Sequence, residues 1–113
     1  MIQTALKIDI RKISKSRISE MDHKNLQFGK FFSDHMFVAD FENGEWRNAQ
    51  ILPYGKMEIS PSNSAFHYGQ AIFEGMKAYK TDTGSVNLFR PEANWRRLNI
   101  SAERMAMPNV PEE

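Results

Sequence analysis

The Asn43-Gly44 pair constrains the fold more than any other feature of the sequence. Both residue types tolerate positive φ, and together they are the strongest short-range signal for a two-residue β-hairpin turn. The preceding residues, 26–41, are rich in phenylalanine, and the following residues, 46–52, are predicted to be the returning strand. The sequence therefore predicts an antiparallel hairpin at the beginning of the hydrophobic core.

A second hairpin and a short helix are predicted beyond this turn. The polar sequence Thr-Asp-Thr-Gly joins two short strands, residues 76–80 and 85–89. The small polar residues Ser60, Ser62 and Asn63 can cap a helix, which is predicted over residues 65–74. Gly75 is suited to the left-handed position that follows a helix, and we expect the helix to end there.

A longer second helix is predicted from Pro91 to about Met105. Proline fits the first helical turn because its missing N–H would have no intrahelical partner there. An apolar stripe recurs at helical spacing and should belong to the core. Its members are Trp95, Leu98, Ala102 and Met105. Arg97 lies about 100° or more around the helix from this stripe, on the side of Ala93 and Ile100.

The predicted class is α+β, with a mostly antiparallel sheet and two helices. Residues 1–25 are predicted to form an N-terminal strand, at 6–10, and a polar arm. Residues 26–107 are predicted to form a small α+β domain, with a further short strand at 57–59. Residues 108–113 contain two prolines and are predicted to be a linker-like tail.

The composition disfavours several classes of function. A length of 113 residues allows no more than one domain. A net charge of +1 gives no broad field to attract nucleic acid or an anionic membrane. The chain has no cysteine and no run of the roughly 20 apolar residues that span a bilayer. We therefore expect a soluble, cytoplasmic protein, and no metal site because its three histidines lack ligand spacing.

Arg97 is the candidate anion ligand of the second helix. On a partly covered face, a guanidinium needs an anion to satisfy its N–H donors. A phosphate suits it, because the planar fork can donate two parallel hydrogen bonds and keeps its charge at physiological pH. From spacing alone, however, an exposed surface arginine is the favoured interpretation.

Three aromatic residues present a similar choice. From composition alone Phe28, Tyr68 and Phe73 are core residues, and only a pocket would give them a binding role. His67 and Glu74 are predicted to share one helical face. Because two residues do not make a catalytic triad, structural roles are favoured for both.

Three segments carry a resemblance to a known family. They read HYGQAIFEGMKAY at residues 67–79, LFRP at 88–91 and RRL at 96–98. Together they resemble the small-domain signature of branched-chain amino acid aminotransferases, which are pyridoxal 5′-phosphate (PLP) enzymes of fold type IV. The resemblance extends from about Leu26 to Pro108.

The resemblance implies roles for four residues. In that family the arginine of the R-L-x-x-S-A sequence, here Arg97, binds the phosphate of PLP. Aromatic residues matching Phe28, Tyr68 and Phe73 form the walls of the pocket for the aliphatic side chain. The resemblance also implies that Tyr68 reaches the active site of a neighbouring subunit, so that the enzyme is a homodimer.

The resemblance further implies a reaction and a missing part. The whole enzyme would transfer the amino group between Leu, Ile or Val and 2-oxoglutarate. The lysine that forms a Schiff base with PLP belongs to a second, larger domain in that family, and none of the eight lysines here matches it. We therefore expect the chain to be an N-terminal fragment, without catalytic residues of its own and inactive alone.

Other functions remain open from the sequence. Within the same fold, a D-amino acid aminotransferase or an aminodeoxychorismate lyase would share the general layout. A non-catalytic module could instead bind an anion or a protein partner through an exposed aromatic face. Nucleic-acid binding through the arginines at 90, 96, 97 and 104 is disfavoured by the near-neutral charge.

Overall fold

The structure is a computed structural model that describes residues 7–112. The chain divides into two compact units, Met1–Glu58 and Ile59–Glu113, which we call the first and second units. The helices and strands confirm the predicted α+β class and its mostly antiparallel pairing. The predicted domain boundaries at 25/26 and 107/108 stay predictions.

The first unit contains a three-stranded sheet of order β1-β3-β2. Strands β2 (His35–Glu42) and β3 (Glu45–Pro53) form the predicted antiparallel hairpin. At its turn Asn43 and Gly44 have φ values of 52° and 83°, as the sequence pair predicted. Strand β1 (Asp9–Ile10) pairs with β3 in parallel, so the sheet is mixed.

The predicted N-terminal strand is thus confirmed at Asp9 and Ile10. It is wrong at residues 7 and 8, which have no regular secondary structure, and Leu6 lies outside the described residues. The strand predicted at residues 57–59 is wrong, because these residues have no regular secondary structure. A strand needs a neighbour to bond its backbone groups, and no described strand pairs with this segment.

A bulge interrupts the β2–β3 pairing between Val38 and Asp40. Asn48 on β3 adopts φ 52° there, and its Nδ2 donates to Oδ2 of Asp40 at 3.2 Å. The next residue, Ala49, is 2% exposed. The bulge therefore lets the strand keep a small buried side chain while one extra residue is accommodated.

The polar arm is fixed to the residues that precede and begin β2. Asp34 accepts hydrogen bonds from the Ser16 hydroxyl at 2.6 Å and from the Arg17 backbone N–H at 3.1 Å. The backbone N–H of Ile13 donates to Nε2 of His35 at 3.1 Å. The arm, which includes one 3₁₀ turn (Ile18–Glu20), is therefore held by side chains rather than by a strand ladder.

The second unit begins with α1 (Ser64–Tyr68), which is shorter than predicted. Asn63 caps its N-terminus by accepting from the Ala65 N–H at 2.8 Å. Gly69 ends it, with φ 63° and its N–H bonded to the carbonyl of Ser64. The predicted end at Gly75 is wrong, because the earlier glycine takes the left-handed position.

The remaining elements of the second unit follow the prediction more closely. Strands β4 (Ala78–Lys80) and β5 (Val86–Leu88) form the second hairpin. Helix α2 (Pro91–Arg104) begins at the predicted proline and contains the buried Ala102. Residues 69–77, between α1 and β4, have no regular secondary structure.

The predicted linker-like tail contacts α2. The carbonyl of Val110 accepts from Nε1 of Trp95 at 2.7 Å and from Nδ2 of Asn99 at 2.8 Å. The N–H of Val110 in turn donates to Oδ1 of Asn99 at 2.8 Å. Val110 is therefore fixed along the helix, and the linker role of this segment stays a prediction.

Candidate functional site

Arg97 lies near the middle of α2 and forms a two-pronged ion pair with Glu74. Nε of Arg97 donates to Oε1 of Glu74, and Nη2 donates to Oε2 at 2.7 Å. The Arg97 side chain is 67% exposed, whereas that of Glu74 is 16% exposed. The two parallel bonds fix the plane of the guanidinium relative to the carboxylate.

Asn94 completes this cluster from the preceding turn of α2. Its Nδ2 donates to Oε2 of Glu74 at 2.8 Å and to the carbonyl of Gly75 at 2.8 Å. Asn94 and Arg97 are three residues apart, so both reach the same side of the helix. We call Glu74, Asn94 and Arg97 the carboxylate clamp, because it joins residues 69–77, which we call the irregular segment, to α2.

The clamp keeps its carboxylate charged. The hydrogen bond from Arg97, followed by that from Asn94, lowers the pKa of Glu74 from 4.5 to about 2. The same contact with Glu74 raises the pKa of the Arg97 guanidinium. At physiological pH the clamp is therefore a closed ion pair with no titrating member.

Arg97 has donors left for a ligand. Two of its N–H groups bond Glu74, and no other described residue within 7–112 accepts from the guanidinium. The Nη1 and Nη2 edge points away from the Nε and Nη2 edge that Glu74 occupies, and a phosphate can accept two bonds along such an edge. The negative charge of Glu74 opposes the binding of a phosphate, whereas the two donors on the free edge of the guanidinium favour it. The residues present therefore fit a phosphate, and the assignment to PLP stays a prediction.

The predicted pocket aromatics are all on the surface of the described chain. Tyr68, the last residue of α1, is 86% exposed, and Phe73, on the irregular segment, is 91% exposed. Phe28 is fully exposed in the first unit. Composition alone predicted core positions for all three, and that interpretation is wrong, because each ring is left open to solvent.

His67 and Glu74 do not share a helical face as predicted. Helix α1 ends at Tyr68, so Glu74 belongs to the irregular segment that follows. A ring nitrogen of His67, Nε2, lies 2.7 Å from the carbonyl of Pro61. His67 thus makes a local contact, and Glu74 bonds Arg97, which is 23 residues away; both are structural contacts, the kind of role that the sequence favoured.

Sequence reasoning missed Asn94 and the pairing of Glu74 with Arg97. The spacing of Asn94 and Arg97 places them on one helical face and was an available signal. Their carboxylate partner is 23 residues from Arg97, and no local pattern pairs residues at that separation. Only the three-dimensional structure brings the clamp together.

Two further findings concern residues 7–112. None of their helices is both long enough and apolar enough to cross a bilayer. In the same range, no three His, Cys, Asp or Glu side chains are grouped so that they could hold a metal ion.

The chain is similar in sequence to several curated proteins. It is 55% identical over 93 residues to branched-chain-amino-acid transaminase 1 of Bacillus subtilis (strain 168). The matched residues make up 81% of this chain and 26% of that protein. The chain is homologous to branched-chain-amino-acid aminotransferases. A Mycolicibacterium smegmatis enzyme of that name is 52% identical over 90 residues, covering 79% of this chain and 24% of the enzyme. No family model matches the chain.

A third relative extends the match along the chain. The probable branched-chain-amino-acid aminotransferase of Staphylococcus aureus (strain MRSA252) is 47% identical over 109 residues, which is 96% of this chain and 29% of that protein. The family resemblance read from the sequence is therefore confirmed. The chain spans about a quarter of the length of these curated relatives.

Proposed function

We propose that this chain is the N-terminal part of a PLP-dependent branched-chain amino acid aminotransferase. The whole enzyme transfers the amino group between Leu, Ile or Val and 2-oxoglutarate. The observation that carries the proposal is the 55% identity over 93 residues to an aminotransferase of that class. The exposed aromatic rings and the open guanidinium edge of the second unit support it, because both are suited to a ligand.

In this proposal Arg97 holds the phosphate of PLP. Its Nη1 and Nη2 edge donates two charge-assisted hydrogen bonds, while its Nε and Nη2 edge remains on Glu74. When bound, PLP supplies an electron sink that accepts the electron pair released at the amino acid's α-carbon. The role of this chain is to bind and orient the coenzyme rather than to transfer the proton.

Phe28, Tyr68 and Phe73 each supply an aromatic ring for binding an aliphatic side chain, as the family resemblance implies. Aromatic walls hold Leu, Ile or Val by excluding water, and such a wall discriminates one methylene by only about 1–3 kcal/mol. Breadth across three branched substrates follows from that weak discrimination. Tyr68 reaches the pocket of the neighbouring subunit, which makes the working enzyme a homodimer.

The lysine that binds PLP covalently lies outside these 113 residues in this proposal. A lysine with that role must be buried beside the coenzyme so that its amine can lose its proton. Lys77, which is adjacent to the family-like segment, is exposed. The isolated chain is therefore inactive, and we place the whole enzyme in the cytoplasm.

The test uses the full protein that contains this chain. Purified with PLP, it should transaminate leucine, isoleucine and valine with 2-oxoglutarate. Arg97→Lys keeps the charge but loses the fork, and it should raise the Kd of PLP by about tenfold or more. The matched control is Arg96→Lys, at an exposed neighbour without a described partner, which should leave the Kd of PLP unchanged.

Other outcomes would overturn the proposal. A preference for D-alanine over leucine, or the release of an aromatic amine from aminodeoxychorismate, would assign the chain to one of the two related classes. Trapping of PLP on a lysine of the isolated 113-residue chain by borohydride would contradict the absence of the PLP lysine. A full protein that binds an anion or a partner but transaminates no amino acid would support a non-catalytic module.

A further inference from the structure

We propose that Glu74 is a positioning residue, which orients the guanidinium of Arg97 toward the phosphate of PLP. This inference rests on the proposed function, since it needs Arg97 to bind that phosphate. Glu74 itself makes no contact with the coenzyme in this scheme. It acts through the two hydrogen bonds that it accepts from Arg97.

The side chain of Arg97 is free to move unless another residue fixes it. An arginine side chain that is 67% exposed has many accessible rotamers, and ordering it costs conformational entropy. Glu74 already accepts from Nε and Nη2, which restricts the guanidinium to one plane. The remaining Nη1 and Nη2 edge therefore has a defined direction before any anion arrives. A ligand that uses this edge is spared most of the ordering cost.

The carboxylate of Glu74 must itself be fixed in order to orient Arg97. The Glu74 side chain is only 16% exposed, and Asn94 donates to its Oε2 at 2.8 Å. Asn94 also bonds the carbonyl of Gly75, while Nε2 of Gln70 donates to the carbonyl of Met105 at 2.8 Å. The irregular segment is thus tied on both sides of Glu74, and the carboxylate is held by the same helix that carries Arg97.

An opposing effect makes the inference testable. The carboxylate of Glu74 carries a negative charge that repels a phosphate dianion bound to the same guanidinium. If repulsion dominated, removal of this charge would tighten PLP binding. If positioning dominates, removal weakens PLP binding, because a glutamine offers one acceptor oxygen and turns an N–H₂ group toward the donors of Arg97.

The experiment measures the Kd of PLP for the full protein in its coenzyme-free form, by a fluorescence titration. Glu74→Gln should raise this Kd by about tenfold, the scale of one charge-assisted hydrogen bond. The matched control is Glu92→Gln, at an exposed acid in the first turn of α2 without a described partner. It should leave the Kd unchanged. Pyridoxal, which lacks the phosphate, should bind both variants as it binds the wild type.

A double variant separates positioning from a general effect on folding. When Glu74→Gln is added to Arg97→Lys, the double variant should bind PLP about as weakly as Arg97→Lys alone, because the guanidinium that Glu74 would orient is already lost. Additive losses, tighter PLP binding by Glu74→Gln, or equal weakening of PLP and pyridoxal would each overturn the inference. If Glu74→Gln fails to fold, Glu74→Asp replaces it. That variant keeps the negative charge but has a shorter side chain. A positioning role therefore predicts weaker PLP binding, whereas repulsion alone predicts unchanged PLP binding.

These outcomes distinguish two failures. If Arg97→Lys leaves the Kd of PLP unchanged, the proposed role of Arg97 fails, and the role of Glu74 fails with it. If Arg97→Lys weakens PLP binding but Glu74→Gln does not, only the positioning role of Glu74 is wrong.

Discussion

Arg17 in the first unit and Arg97 in the second both pair with a carboxylate, but they differ in what else the guanidinium contacts. Nη2 of Arg17 donates to the carbonyls of Ser33 at 3.1 Å and Phe32 at 3.3 Å. Its Nε reaches Asp34 at 3.4 Å. Among the described residues, only Glu74 accepts hydrogen bonds from the guanidinium of Arg97. The guanidinium of Arg17 therefore bonds backbone carbonyls of the chain, whereas the guanidinium of Arg97 keeps its Nη1 and Nη2 edge for a ligand.

The two carboxylates differ in the same sense. The pKa of Asp34 is lowered first by the Ser16 hydroxyl and then by the Arg17 backbone N–H, both neutral donors. The pKa of Glu74 is lowered first by the Arg97 guanidinium. Asp34 thus organises a chain segment, and Glu74 organises a charged side chain. A contact between a carboxylate and an arginine can stabilise the fold or orient the arginine for a ligand. The two cases differ in whether the remaining N–H groups of the guanidinium are already bonded.

The largest expected effect is the release of the arm by Asp34→Ala. This change removes the acceptor of the Ser16 hydroxyl and of two donors of Arg17, so the arm loses three hydrogen bonds. Amide hydrogen exchange at Arg17 should accelerate by about a hundredfold. The matched control is Asp40→Ala, at a carboxylate bonded to Asn48, which should leave the arm protected. Unchanged exchange at Arg17 would show that Asp34 does not hold the arm.

A smaller effect is expected from the turn of the β2–β3 hairpin, which follows Asp34 directly. Gly44 has φ 83°, and a Cβ built there meets nothing within 4 Å, so Gly44→Ala introduces conformational strain without a clash. The cost should be about 1–2 kcal/mol, which is roughly a tenfold loss of exchange protection in β2 and β3. Gly55→Ala is the control, because Gly55 lacks positive φ and its Cβ would lie 4.0 Å from the Pro53 carbonyl. Equal effects of the two changes would mean that the left-handed turn does not limit hairpin stability.

Elements with a local signal were predictable from the sequence. The β2–β3 hairpin was predicted because Asn43 and Gly44 both accept positive φ, and the structure uses them at that turn. Helix α2 was predicted because Pro91 pre-sets the first turn and the apolar stripe follows. In both cases the determining residues are neighbours along the chain.

The end of α1 and the carboxylate clamp were not predictable in this way. Gly69 and Gly75 are both able to end a helix, and periodicity does not choose between them. Gly69 adopts φ 63°, and the segment after it is held by bonds that reach 19 to 35 residues along the chain. The proposed roles of Arg97 and the three aromatics came from family resemblance, not from spacing. Burial and hydrogen bonding of these residues depend on non-local contacts that no pattern encodes.

The smallest expected effect is a pH dependence that should differ between the two carboxylates. The pKa of Glu74 is about 2 in the folded chain, against an ordinary 4.5. A depressed pKa means that the unfolded chain binds the proton more readily, so the stabilisation is complete above pH 4.5 and is lost as the pH falls toward 2. The contribution of Asp34 should likewise be lost below its ordinary value of 3.8.

Carbon-13 NMR titration of the side-chain carboxyl groups checks this difference with two variants. Arg97→Lys should raise the midpoint of Glu74 toward 4.5 and leave Asp34 unchanged, because Arg97 is the main cause of the Glu74 shift. Ser16→Ala should raise the midpoint of Asp34 toward 3.8 and leave Glu74 unchanged, because the Ser16 hydroxyl is the main cause there. If either change moves both midpoints, the carboxylates are coupled. The contrast between a carboxylate that organises the arm and one that organises a binding arginine would then no longer hold.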